Sequence, residues 1–424
     1  MNEASSVENQ STLSDAFLRH LMAVGQVDVL VGLPTLNNAA TVVDVVRAVH
    51  LCVTRDFPRQ RTVMINSDGG STDGTPELIR AATFTEADIV QTSHSLRTLH
   101  RVVAPYHGLP GKHTALRTLF AAGELTQAKV VVVVDPAGPS TSPERVTELI
   151  APIARGETEF LTPRYRRDPR DGVLITQLVR PMVRAVYGVA LDEPLGAEFS
   201  CSRRFASHCL DQGIWEHETA RFAIDLWLRT EAVARGFALA QMWRPVTIAT
   251  GARAKLREAV QQIVLATIES LRAHDRFWTS ANGVAPLPTL GIDPEEAIPA
   301  SVWDYEALAA EAAQDLAAIR PLLQELLGAD LVARVIDDGA GSVLPFSDEL
   351  WVRIVYASVA AARRGPTSID HLATMFVPLY LWRAATFMAD AAFEDDSAVR
   401  ARLNSLCETF LRLKPMLVTS WSAE

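Results

Sequence analysis

The feature that most limits the fold is a series of short, mostly apolar runs set between helix-patterned segments. Val27 to Leu33 closes on Pro34, and Ala39 to Leu51 has helical spacing. Arg61 to Asn66 is the next run, followed by the loop SDGGSTDGT and a helix from Pro76. Ala87 to Gln91 reads as a third strand and His113 to Gly123 as a helix. Lys129 to Val134 is the most apolar run and stops at Asp135. Apolar strands without polar alternation predict a mainly parallel sheet covered on both faces. Ligands of such sheets sit beyond the carboxyl ends of the strands. Three loops there carry unusual chemistry: PTLNN, SDGGSTDG and DPAGPS.

From about Lys255 the periodicity turns helical, as in YEALAAEAAQDLAAIRPLLQELL. Thr279 to Pro299 is rich in Pro and Gly and reads as a linker or long loop. The expected division is an N-terminal extension over 1–24, an α/β domain over 25–255 and a helical C-terminal domain over 256–424.

With 424 residues, 48% hydrophobic and mean hydropathy +0.11, the chain is no disordered segment and can bury a large core without staples. A formal charge of -10 argues against nucleic-acid binding, which favours a basic face. Cys52, Cys201, Cys209 and Cys407 form no CxxC pair, so neither disulfides nor zinc are expected, and a cytoplasmic location fits. Cys201, His208 and Cys209 read as packing residues. The polar N-terminus has no signal-peptide core. Ala373 to Phe393 is apolar but broken by Pro378, Arg383 and Asp390, so it reads as a buried helix, and no membrane is expected.

Asp68 follows a strand directly, where a carboxylate can accept hydrogen bonds from a base or ribose. By itself the loop also reads as a plain turn. A calcium loop is disfavoured, because the acidic spacing is not that of an EF-hand and a strand precedes it. Gly111 and Lys112 offer backbone and an ammonium to a diphosphate. Glu198 and Asp225 can hold hydroxyl groups, with an ion pair and a helix-end charge as the plainer roles. Arg164, Arg166 and Arg167 can grip an anion, and otherwise form a solvated face. Glu216-His217-Glu218 reads as a charge cluster at a loop or helix start rather than a metal site.

The order of these motifs resembles retaining GT-A glycosyltransferases of the mannosylglycerate synthase and glucosyl-3-phosphoglycerate synthase type. The segments that carry the resemblance are LPTLNN, SDGGSTDGT, LPGKHTAL, RYRR, RP at Arg180, EPLGAE and AID ending at Asp225. More loosely, LPFSDELW and LWRAAT match as well. The resemblance implies a GT-A fold with a mainly parallel sheet and a helical C-terminal region. It implies hexose transfer from a nucleotide sugar, GDP-mannose or UDP-glucose, to a small acidic acceptor such as glycerate or phosphoglycerate. In that reading Pro34, Thr35, Asn37, Asp68, Gly111, Lys112, Asp135, Leu195 and Gly196 bind the nucleotide sugar. Arg164, Arg166, Arg167, Glu198 and Asp225 bind the acceptor, and Asp135, Glu198 and Asp225 are the catalytic candidates.

The pattern breaks at the metal site. The family's Asp-x-Asp is Asp135-Pro136-Ala137 here, and its downstream His aligns with Arg253. Mg²⁺ or Mn²⁺, which the resemblance implies, loses two ligands at once, and Arg253 is the expected replacement. Two alternatives stay open: a glycoside hydrolase or phosphorylase acting on a glycosylglycerate without nucleotide, and a non-catalytic binding protein on the same scaffold. A homodimer is expected only by analogy with other helical C-terminal regions.

Overall fold

The computed structural model describes residues 14–82, 100–105, 112–136, 141–216, 220–245, 256–294, 304–336, 346–364 and 369–422. In chain order come α1 (Asp15–Val24), β1 (Val29–Thr35), α2 (Val42–Asp56), β2 (Thr62–Asp68), α3 (Thr75–Ala81) and β3 (His100–Pro105). Then follow α4 (Lys112–Leu125), β4 (Val130–Val133), α5 (Pro143–Ala154), β5 (Phe160–Arg166), α6 (Arg180–Tyr187) and β6 (Phe199–Ser202). Next are α7 (Arg203–Leu210), α8 (Ala220–Ala234), β7 (Leu239–Pro245), α9 (Leu256–Ala273), α10 (Asp275–Trp278) and β8 (Thr289–Leu290). The chain ends in α11 (Tyr305–Leu327), α12 (Ala329–Ile336), α13 (Asp348–Arg364), α14 (Ile369–Ala391) and α15 (Asp396–Ser422). An α/β chain with a mostly parallel sheet and a helical C-terminal region is thus what is observed.

Two compact units interleave in sequence, Met1–Leu161 with Ala197–Arg221 and Thr162–Gly196 with Phe222–Glu424. The sequence suggested boundaries after residues 24 and 255. In the structure the 162–196 segment clusters with 222–424, a packing that joins residues far apart in the chain.

In the first unit β3, β2, β1 and β4 lie side by side and parallel, and β6 runs antiparallel to both β4 and the start of β5. β2 and β4 are buried throughout, as their lack of polar alternation requires. Two glycines let α4 press onto the sheet. A Cβ on Gly32 would strike the Leu119 side chain, and one on Gly123 would lie 2.9 Å from Val131 Cγ2.

Several boundaries move. β1 runs through Pro34 to Thr35, because its β4 partner ends at Gly32↔Val133 and no ladder bond on that side is lost to the proline. Helix α2 starts at Val42 and continues to Asp56 rather than spanning Ala39 to Leu51. The strand expected at Ala87 to Gln91 lies outside the described residues. β3 supplies the third parallel strand instead, from a segment with no strand expectation.

In the second unit β8 pairs parallel with β7, so the expected linker from Thr279 to Pro299 contains a short strand. The core of this unit draws on α6, α9, α11, α13, α14 and α15. Trp278, Trp351 and Tyr356 are fully buried, and each places its polar atom on a carbonyl: Leu271 at 2.9 Å, Gln177 at 2.8 Å and Phe410 at 2.7 Å. α14 is long and apolar enough to cross a membrane by length and composition, yet it is buried inside this unit, the core helix that its sequence suggested. A π-helical turn over Ile175–Val179 precedes α6, a widening that often accompanies functional sites.

Candidate active site

In the first unit the ends of β1 and β2 are knotted together. Asp68 is buried, and both its oxygens are engaged. Oδ1 accepts from Thr35 Oγ1 at 2.8 Å and Ser71 Oγ at 2.6 Å. Oδ2 accepts from the Gly70 and Ser71 amides at 3.0 and 2.8 Å. Four donors match the lone-pair sites of a carboxylate. Asp68 therefore organises the loop, and its oxygens are not open to a base as expected from sequence.

A second set of bonds closes PTLNN onto SDGGSTDG. Asn37, at φ 56° in the left-handed region, donates its amide to Ser71 Oγ at 2.8 Å and accepts from the Thr72 amide at 2.9 Å. Asp73 accepts from the Ala39 amide at 2.9 Å and from both the amide and hydroxyl of Thr75, at 3.0 and 2.6 Å. These bonds hold the Asp73 carboxyl below its usual range, the Thr75 hydroxyl contributing most. Asn66 Nδ2 bridges Leu33 O and Thr35 Oγ1 at 3.0 and 2.7 Å. Leu36 stays half exposed at the tip.

The third corner lies at the end of β4. Val133↔Phe199 is the last pair of the β4–β6 ladder, and Glu198, just before Phe199, and Asp135, two residues past Val133, flank that end. The half-buried carboxylates of Asp135 and Glu198 thus belong to one end of the sheet. Lys112, the first residue of α4, donates Nζ to the Ala197 carbonyl at 2.7 Å. Thr41, just before α2, donates Oγ1 to the Pro136 carbonyl at 2.5 Å, which ties the β4 loop to the β1 loop. Gly111, Arg253 and most of Glu216-His217-Glu218 lie outside the described residues.

In the second unit a cleft of about 280 Å³ collects Arg164, Arg166 and Arg167 with Arg180 and Arg400. The three expected arginines do come together, but acids already hold them. Arg167 makes a two-pronged pair with buried Glu193 at 2.6 and 2.9 Å. Burial pushes the Glu193 carboxyl up, and the Arg167 charge opposes that push. Arg164 Nε lies 2.9 Å from Asp192 and its guanidinium stacks 4.2 Å over Trp243. Arg166 pairs with Asp293 at 2.9 Å and Arg180 faces Asp192 at 3.3 Å. Arg400, exposed, donates to the Arg167 carbonyl at 3.3 Å.

Sequence reading passed over the group that sets Gly196 and Asp225. Arg229 is fully buried on α8. It donates Nε to Thr162 Oγ1 at 2.8 Å, Nη1 to the Asp225 carbonyl at 2.8 Å and Nη2 to the Gly196 carbonyl at 2.7 Å. Its Nη1 lies 3.7 Å from Asp225 Oδ1. Burial pulls its guanidinium below the ordinary value, against the Asp225 charge. The signal was present: an arginine four residues after Asp225, following the apolar Leu226, Trp227 and Leu228. Leu195, which precedes this glycine, packs partly buried against the core of the unit.

No protein-family model matches the chain, and no curated protein matches it. Its likeness is to solved structures. Glucosyl-3-phosphoglycerate synthase from Mycobacterium tuberculosis with phosphoglyceric acid is 21% identical at a TM-score of 0.42, over 63% of this chain and 86% of that one. The same enzyme with Mn²⁺, UDP-glucose and phosphoglyceric acid is 20% identical at 0.41, over 62% and 86%. A mycobacterial protein is 22% identical at 0.43, over 60% and 78%.

Proposed function

We propose that the chain is a GT-A glycosyltransferase that moves a hexose from a nucleotide sugar to a small acidic acceptor, with retention of anomeric configuration. The observation that supports it best is the knot of PTLNN and SDGGSTDG at the ends of adjacent parallel strands, with Lys112 beside the next strand end. Ligands of such sheets bind beyond the carboxyl ends of the strands, and loops braced there by their own side chains lose less freedom on binding, which supports the reading. Lys112 is assigned to the diphosphate.

Acceptor binding is assigned to the arginine-lined cleft of the second unit. The arginines there are paired and oriented, so an acidic acceptor exchanges partners with fixed guanidinium groups rather than ordering loose ones. Asp135 and Glu198 of the first unit, and Asp225 of the second, are each assigned to hydroxyls of the sugar or the acceptor. The acceptor hydroxyl oxygen bonds to the anomeric carbon, the bond to the diphosphate oxygen breaks, and the acceptor proton ends on the departing diphosphate.

The test is turnover of UDP-glucose and of GDP-mannose with glycerate and with 3-phosphoglycerate, following release of nucleoside diphosphate. Release that depends on acceptor, with an α-linked product, supports the reading. Hydrolysis of a glycosylglycerate without nucleotide, and no transfer, overturns it.

A further inference from the structure

We infer that Arg400, on α15, binds the acid group of the acceptor and so selects an acid for the arginine-lined cleft. The inference rests on the assignment of acceptor binding above and adds to it the residue that sets the specificity.

The cleft holds a hydrogen-bonding set that a ligand would complete. Asp171 and Thr176 line it, at 5% and 8% exposure. Asp171 Oδ1 and Thr176 Oγ1 are buried and have no hydrogen-bond partner among the described residues. Buried polar groups are normally paired, so two such atoms beside one cleft point to a ligand that carries hydroxyl groups.

The arginines of the cleft are paired with acids except at one residue. Arg164 and Arg180 share Asp192, Arg166 has Asp293 and Arg167 has Glu193. At a paired arginine the displaced carboxylate offsets what an incoming one gains, so exchange orients the acceptor and adds little attraction. Arg400 is the cation of the cleft that has no carboxylate partner among the described residues, and its bond is to the Arg167 carbonyl at 3.3 Å. Asp396, the acid one turn before it on α15, is taken by Arg170 at 2.7 Å. An acid bound at Arg400 therefore displaces no carboxylate and keeps the whole gain of a charge-assisted bond.

The position of this guanidinium is set by a packed helix. Arg400, Leu403 and Asn404 line the cleft at i, i+3 and i+4 spacing, which is one face of α15. The helix is tied to α6, whose first residue is Arg180, by Lys414 Nζ on the Val186 carbonyl at 2.9 Å. Groups carried on packed elements meet a ligand in a narrower range of positions than groups on loops.

The experiment is steady-state turnover of the full chain with UDP-glucose and with GDP-mannose, each with glycerate and with 3-phosphoglycerate. Arg400→Gln, Arg400→Lys and, as a charge control on the same helix, Arg402→Gln run alongside, with melting temperatures recorded to confirm that each is folded. Loss of one charged hydrogen bond in Arg400→Gln is expected to raise the KM for the acid about tenfold or more. Because the contact is made in ground state and transition state alike, kcat and the KM for the sugar donor stay within about twofold of wild type. Arg400→Lys keeps part of the affinity for the acid, and Arg402→Gln leaves it unchanged. An unchanged KM for the acid in folded Arg400→Gln overturns the inference and leaves the acceptor assignment standing. So does an equal rise in Arg402→Gln, which would make the effect one of overall charge. If the wild type transfers sugar to neither acid, the proposed function itself fails and the inference with it.

Discussion

Arg229 reaches the carbonyl of Gly196 at 2.7 Å from the middle of α8, and no side chain larger than hydrogen fits at Gly196. A Cβ there would lie 2.5 Å from Pro163 Cγ and 3.0 Å from Arg229 Nη2. The loop before β6 is therefore shaped by a buried charge thirty-three residues further on in sequence. Arg229→Met leaves the Thr162 hydroxyl and the Gly196 carbonyl without this donor. Each such loss costs about 1–3 kcal/mol. The expected outcome is a fall in melting temperature of several degrees, read by differential scanning calorimetry. Gly196→Ala is expected to fall as well, by steric push against Pro163. An unchanged melting temperature in both variants would contradict this picture.

Asp68→Asn replaces two acceptor oxygens by one oxygen and an amide. The amide nitrogen cannot accept, so the pair it faces, either the Gly70 and Ser71 N–H groups or the Thr35 and Ser71 hydroxyls, loses its acceptor. At least one donor of the four is stranded, at a cost of about 1–3 kcal/mol. Nucleotide affinity is expected to fall about tenfold or more while the second unit is undisturbed. Hydrogen exchange at residues 69–72 is the sensitive readout and is expected to accelerate.

Arg167→Ala removes the partner of a buried Glu193. Removing one member of a buried pair typically costs about 3–5 kcal/mol, because the remaining charge is stranded. The double variant Arg167→Ala/Glu193→Ala is expected to melt above the single one. Urea unfolding of the wild type, both single variants and the double gives the coupling directly. Additive single effects would show that the two side chains do not act as a pair.

Lys414 is buried and donates Nζ to the carbonyls of Val186 and Ala281 at 2.9 and 2.6 Å. Burial lowers its pKa to about 8, from an ordinary value of 10.5. The folded chain thus gives up this proton more readily than the unfolded one. The group's contribution to stability is full above about 10.5 and is lost as pH falls to about 8. The span is about 3 kcal/mol at 1.36 kcal/mol per unit. In Lys414→Met this dependence disappears. The difference in melting temperature between wild type and variant is expected to move in favour of the wild type as pH rises from 8 to 10. A difference that stays flat over that range would refute the assignment.

Much of the first unit could be read from local pattern. Apolar runs too short for helices and without polar alternation announced β1, β2 and β4, and loops rich in Asp, Gly and Ser announced where they end. β3 escaped because His100–Pro105 mixes charge and proline with its valines. Its strand character comes from pairing with β2. The Arg164, Arg166 and Arg167 cluster was legible as chemistry. Its charge state was not, because Asp192, Glu193 and Asp293 arrive from later in the chain.

The sequence by itself determined the mainly parallel sheet, the helical second half, the buried character of α14 and the positions of the strand-end loops. These depend on periodicity and turn chemistry, which act over a few residues. Only the tertiary structure decided that Asp68 spends both oxygens on its own loops. The same is true of Lys112 on Ala197, of Glu193 holding Arg167 and of Arg229 at the back of Gly196. Those outcomes depend on which donors and acceptors meet after strands and helices pack. Burial makes an unmet polar group costly, so a residue's role is set by partners distant in sequence.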